Sequence, residues 1–200
     1  MKKFILLTFL MCLIGGINYV TAQDVVTIGD GQTESQYVPF DANADGSISQ
    51  TYYLKSEIGE ANKGKTIKAI SYKQKSGKSP FSHEIEIYMV NTESTNAGGV
   101  TMAKLNSSDL VYSGEVEFGI DEWVSITLDT PFSYTGDNIL VCVNDKYIES
   151  YASPAPKFYC YSTDAYKTLY KSNTTHTTYD PTTSAIIAGN SVNTPCVQFT

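Results

Sequence analysis

Five consecutive apolar residues, Ile139-Leu140-Val141-Cys142-Val143, constrain this chain more than any other feature. A strand turns successive side chains to opposite faces, so an apolar residue at every position demands cover on both sides. The run is expected to be a central strand. Two other segments carry a different pattern. Ile85, Ile87 and Met89 alternate with Glu84, Glu86 and Tyr88, and Val124, Ile126 and Leu128 alternate with Trp123, Ser125 and Thr127. A period of two buries one face and wets the other. Ile87, Met89, Val124, Ile126 and Val141 are therefore the expected core.

No stretch has a helical period; 55–61 has room for one short turn. Candidate strands cover 25–28, 47–54, 66–74, 84–91, 110–112, 114–118, 123–128, 139–144, 157–162, 168–171 and 195–199. Turn signals separate them at Asp45-Gly46, Ser76-Gly77, Gly98-Gly99, Ser113-Gly114 and Thr135-Gly136. The expected fold is all-β, one β-sandwich of jelly-roll-like type. The polar, tyrosine-rich stretch 147–179 is the expected home of long loops.

The first 22 residues read as a signal peptide. Lys2 and Lys3 precede an apolar stretch at 4–14, Gly15 and Gly16 break it, and Val20-Thr21-Ala22 offers a small-residue cleavage site. The apolar stretch falls short of the roughly 20 residues of a spanning helix. The sandwich domain is expected at 23–200, secreted or at the cell surface, with no membrane insertion after cleavage. That segment holds 12 Lys, no Arg and 21 acidic residues, a net charge of −9. An acidic chain without Arg is a poor partner for nucleic acid, whose phosphates are met by clustered Lys and Arg. Its three cysteines, Cys142, Cys160 and Cys196, allow at most one internal disulfide.

Several segments in order resemble a known family: Val26-Thr27-Ile28-Gly29, Tyr88-Met89-Val90-Asn91-Thr92, Trp123, Ile126 to Tyr134 with Gly136, Asn138 to Val141, Tyr179-Asp180-Pro181-Thr182 and the closing Val197-Gln198-Phe199-Thr200. Together they are similar to a β-sandwich domain of secreted Bacteroidetes proteins. That domain is found beside fibronectin type III modules and in relatives of the adhesin regions of gingipains and haemagglutinins. The resemblance implies adhesion or ligand binding by association and transfers no catalytic residue.

Four constellations bear on chemistry. Asp41, Asn43 and Asp45, followed by Gly46, match the first half of a calcium loop, but Tyr52 stands where the bidentate Glu belongs. A carboxylate from elsewhere would complete a Ca2+ site; a polar loop on an Asp-Gly turn is the plainer alternative. His83 and His176 lack zinc-ligand spacing, and Cys142 lies in the apolar run as a small hydrophobe. Glu115, Glu117, Asp121 and Glu122 offer carboxylates for glycoside hydrolysis, against the simpler role of solvating a face and a turn. The aromatic residues Tyr147, Tyr151, Phe158, Tyr159, Tyr161, Tyr166 and Tyr170 are the most suggestive, because loop tyrosines give contact area with a polar tip. Tyr147, Tyr151, Tyr166 and Tyr170 are the expected ligand contacts. The expected function is non-catalytic binding of a glycan or of a host or matrix protein, with no required cofactor. The alternatives are a structural module of an envelope assembly and a carboxylate-dependent hydrolase.

Overall fold

A computed structural model describes residues 24–95, 97–147 and 152–200; the leader with its expected cleavage site, and Tyr151, lie outside them. The described residues form thirteen strands in two antiparallel sheets. In chain order these are β1 (Val26–Ile28), β2 (Thr33–Ser35), β3 (Ser47–Tyr53), β4 (Thr66–Ser76), β5 (Phe81–Thr92), β6 (Leu110–Phe118), β7 (Trp123–Ser133), β8 (Asn138–Asp145), β9 (Lys157–Ser162), β10 (Thr168–Ser172), β11 (Gly189–Ser191), β12 (Asn193–Pro195) and β13 (Val197–Phe199). One sheet runs β1-β13-β4-β9-β12, with β2 on β9 and β7 on β4; the other runs β11-β10-β3-β8-β5-β6. The chain is an all-β sandwich.

The main core lies between the sheets. Ile85, Ile87 and Met89 of β5, Ile139, Val141 and Val143 of β8, and Ile70, Tyr72, Ile126 and Val197 of the facing sheet meet there. β8 is central, between β3 and β5, and all eight of its residues are buried. Its other face needs its own cover, as the apolar run requires. Leu140 and Cys142 join Ile48, Tyr52, Tyr88 and Leu169 under Ala97, Met102, Leu105 and Ala188, which come from the loops 93–106 and 173–188. Backbone bonds hold those loops together, Met102 N–H to the Ile186 carbonyl at 2.9 Å and Leu105 N–H to the Pro181 carbonyl at 2.9 Å. The buried Gln50 amide fastens them to the sheet, giving 2.7 Å to the Ala103 carbonyl and taking 2.8 Å from the Ala103 N–H.

Four expectations change. Tyr88, expected on the wet face, is only 5 % exposed because the loops cover that face. Val124 is half-buried at the margin of the core. Ser113-Gly114 makes no turn: β6 runs straight through it, because Phe81–Tyr88 pairs with the strand along its whole length and Gly114 sits opposite Ile85. The segment 195–199 breaks at Cys196, whose N–H turns to the Tyr159 carbonyl, so β12 follows β9 while β13 joins β1 and β4. The short turn at 55–61 does form, as helix α1 (Lys55–Ile58) and a 3-10 turn (Glu60–Asn62). At Gly77, in the β4–β5 hairpin, φ is +96° and a Cβ would collide with the Ala155 carbonyl oxygen, so only glycine fits. Among the described residues no helix is long and apolar enough to cross a membrane.

Candidate functional site

The outer face of the β1-containing sheet carries a cleft lined by aromatic and charged side chains. β4 directs Ile70 and Tyr72 inward, which leaves Lys73 and Lys75 on the outside. β7 pairs with β4 so that Trp123 lies directly across from Lys73. On the other edge of β4, β9 turns Phe158 into the core and Tyr159 outward. Lys73 Nζ stands 4.9 Å and Lys75 Nζ 5.2 Å from the Tyr159 ring centre, within cation–π range. Residues far apart in sequence thus share one patch because β4 has strands on both sides.

A loop completes the cleft. Gly29 and Gly31 adopt φ of +95° and +70° and carry Asp30 between them. A Cβ at Gly29 would meet Cys196 Sγ and Tyr161 Cδ1 at 2.6 Å, and one at Gly31 would meet Tyr159 Cδ1 at 3.0 Å. Glycine lets the backbone cross the aromatic rings closely and present Asp30 beside them. The cleft holds about 180 Å3 and is lined by Gly29, Asp30, Gly31, Lys73, Trp123, Tyr159 and Cys196. The Tyr159 hydroxyl donates to Asp121 Oδ1 at 2.6 Å, and this carboxylate partner raises the phenol above its ordinary value. Asp121 itself sits at φ 63°, a conformation Asp tolerates, with its N–H on the Gln74 carbonyl at 2.9 Å. Burial pushes the Cys196 thiol up to about 11, so it stays protonated on the cleft floor. Cys142, Cys160 and Cys196 are all free thiols.

The tyrosines chosen from sequence are distributed differently. Tyr147 covers His83 at the end of the sandwich, ring centres 4.5 Å apart. Tyr166, 49 % exposed, lines a shallow recess with Ala97, Gly98, Gly99 and Asn190. Tyr170 stacks on Tyr37 at 5.0 Å and 21°, with its ring against Gly189, where a Cβ would come 3.4 Å from Tyr170 Cζ. Tyr147 and Tyr166 therefore line separate recesses, and Tyr170 joins neither. Tyr159 belongs to the wider aromatic set, but no sequence pattern joins it to Trp123, Lys73 and Asp30. The sole tryptophan standing at a wet position of an alternating strand was the available signal.

Asp41, Asn43 and Asp45 lie at the end of the sandwich that holds His83. Asp41 Oδ1 accepts the Asn43 N–H at 3.1 Å and Oδ2 accepts the Ser172 hydroxyl at 2.8 Å. Burial raises the Asp41 carboxyl, with those two donors and nearby His83 working the other way. Asp45 is buried, 3.7 Å from His176 Nε2. Among the described residues no three His, Cys, Asp or Glu side chains are grouped to hold a metal ion. His83 and Asp145, 2 % and 0 % exposed, form a buried pair with Nδ1 at 3.0 Å from both carboxylate oxygens. Burial raises the Asp145 carboxyl, opposed by the bond from His83. Of the acids considered for hydrolysis, Glu115 and Glu117 line a recess with His83, whereas Asp121 holds Tyr159.

Comparison of the chain with family models, with curated proteins and with solved structures finds no match.

Proposed function

We propose that this chain is an exported, non-catalytic binding module that takes a saccharide in the Trp123–Tyr159 cleft. The observation that carries the reading is the convergence of Trp123, Tyr159, Lys73 and Asp30 on one open sheet face. A sugar ring has apolar faces formed by its C–H groups and a rim of hydroxyls. Trp123 and Tyr159 offer surfaces for the faces; Lys73 donates to the rim and Asp30 accepts from it. The glycines that shape the Asp30 loop are required by close approach, so the cleft is built in advance of its ligand. Asp121 is engaged with Tyr159, which fits a scaffolding role rather than acid–base chemistry. The leader-like first 22 residues support secretion or cell-surface display, and the resemblance to Bacteroidetes adhesin modules supports a binding role.

A glycan array and a panel of immobilised matrix proteins, probed with the secreted protein, test this reading. At least one glycan should bind, and Trp123→Ala and Tyr159→Ala should each weaken it by about tenfold, or ~1.4 kcal/mol, without lowering the melting temperature appreciably. Binding only to a matrix protein, or glycan binding indifferent to both substitutions, would refute it.

A further inference from the structure

We propose that the Trp123–Tyr159 cleft selects an acidic saccharide, one whose ring carries a carboxylate or a sulfate ester held by Lys73 and Lys75. The inference rests on the saccharide reading above and narrows it to a ligand class.

The two lysines are the observation that points to an anion. β4 sends both outward, two residues apart on one face, and both ammonium groups rest on the Tyr159 ring, 4.9 Å and 5.2 Å from its centre. Like charges so placed repel. Neither forms an ion pair or a hydrogen bond with a described residue, whereas Lys65, Lys146, Lys157 and Lys167 each hold a carboxylate. A ring face is a weaker partner for an exposed ammonium than a charged oxygen is.

The carboxylates around the cleft are already engaged. Asp121 Oδ1 takes the Tyr159 hydroxyl at 2.6 Å, and Asp30 Oδ1 takes the Gln32 N–H at 3.3 Å. Lys157 bonds Glu34 at 2.7 Å and holds its carboxyl below the ordinary range, with Lys75 adding a weaker pull. Asp30 and Lys73 both line the cleft yet form no ion pair, so its two ends differ in charge. Lys73 stands at the Trp123 end, directly across the strand pair. Asp30 lies at the Cys196 end, where its charge adds to burial in raising that thiol.

That polarity matches an acidic sugar ring. A hexuronate carries its carboxylate on one side of the ring and hydroxyl donors on the other. At the lysine end the carboxylate gains charge-assisted hydrogen bonds, roughly twice as strong as those between neutral groups. At the far end the hydroxyls donate to Asp30, and the C–H faces lie on Trp123 and Tyr159. A neutral sugar would leave the two ammonium groups uncompensated, and a cationic one would meet them directly. The cleft, at about 180 Å3, takes one such ring. With 12 Lys against 21 acidic residues, the 23–200 segment repels anions at large, so this pair of lysines decides where an acidic glycan is held.

The probes are trisaccharides of galacturonate and of glucuronate, the carboxyl-reduced neutral form of each, the 6-sulfated forms of those neutral sugars, and the glycan selected by array. Each is titrated into the protein by calorimetry and by selectively excited Trp123 emission. At least one acidic member should bind about tenfold or more tighter than its neutral form, with a saturable change in emission. The tighter of the carboxylated and sulfated forms names the source. Lys73→Gln/Lys75→Gln should bring the acidic form to within about twofold of the neutral one, and Lys73→Arg/Lys75→Arg should keep the preference. The comparison of acidic with neutral sugar on wild type needs no variant. The proposal is overturned if the neutral forms bind as tightly as the acidic ones, or if the preference survives Lys73→Gln/Lys75→Gln. Neutral binding that moves Trp123 emission would overturn the acidic selection alone and leave the saccharide reading standing. Emission unmoved by every member would overturn both.

Discussion

Replacing Phe40 by Ala should be among the most damaging single changes available to this protein. Phe40 belongs to no strand, yet it is fully buried at the meeting point of the two sheets. Its ring lies 5.3 Å from Phe158 of β9 in one sheet, and 5.6 Å and 6.3 Å from Phe118 of β6 and Phe81 of β5 in the other. His83 is 5.8 Å away. Truncating a buried Phe to Ala costs about 3–5 kcal/mol through lost transfer energy and the cavity left behind. For a domain of this size each kcal/mol lowers the melting temperature by about 2–4 °C, so a fall of roughly 6–20 °C is expected. Scanning calorimetry on wild type, Phe40→Ala and the surface control Tyr166→Ala would measure it. The control should stay within about 0.5 kcal/mol of wild type. Urea unfolding should show a lower midpoint with an unchanged slope. A fall of less than about 3 °C for Phe40→Ala would refute the reasoning, since it would place the ring outside a close-packed junction.

Other expectations follow from the same geometry. Ile126→Ala should cost about 2–5 kcal/mol in urea unfolding, and half-buried Val124→Ala distinctly less; equal losses would mean that β7 presents the wrong face. Burial raises the native Asp41 carboxyl above its unfolded value, so its contribution to stability is complete below the unfolded carboxylate pKa and is lost as pH rises through the folded one. Asp41→Asn should therefore be more stable than wild type at neutral pH, with the gap closing as pH is lowered through the carboxylate range; a gap that widens on acidification would contradict the assigned direction. Because both Asp41 oxygens are engaged by Asn43 and Ser172, the melting temperature should be the same in millimolar Ca2+ and in chelator, and a rise that grows with Ca2+ would establish a site at Asp41, Asn43 and Asp45.

The sandwich could be read because its strongest strands obey local rules. The unbroken run at 139–143 announced a strand covered on both faces, and the 85–89 alternation announced the inner face of β5; both follow from a side-chain period that any strand must keep. What covered the second face of β8 could not be read. Met102, Leu105 and Ala188 lie in loops without period, and their burial depends on backbone bonds between segments about eighty residues apart in sequence. Phe40 was hidden for the same reason. Strands β2 and β11 are three residues each, and β11 reads Gly-Asn-Ser, with no strand propensity; pairing alone makes it a strand. The cleft was the hardest feature, because Asp30, Lys73, Trp123, Tyr159 and Cys196 become neighbours only through the order of strands around β4. The tyrosine-rich segment stands out by composition, while the fold places Tyr147, Tyr166 and Tyr170 in different surroundings.

Trp123 is the only tryptophan, so intrinsic tryptophan emission reports on the cleft and on nothing else. Titrating the folded protein with the glycan selected by array, while exciting indole selectively, tests the central claim most directly. A saturable change in Trp123 emission, with the same Kd as calorimetry and loss of the signal change in Tyr159→Ala, is the result expected. Calorimetric binding of that glycan with Trp123 emission unmoved would contradict the account and place the binding surface elsewhere on the sandwich.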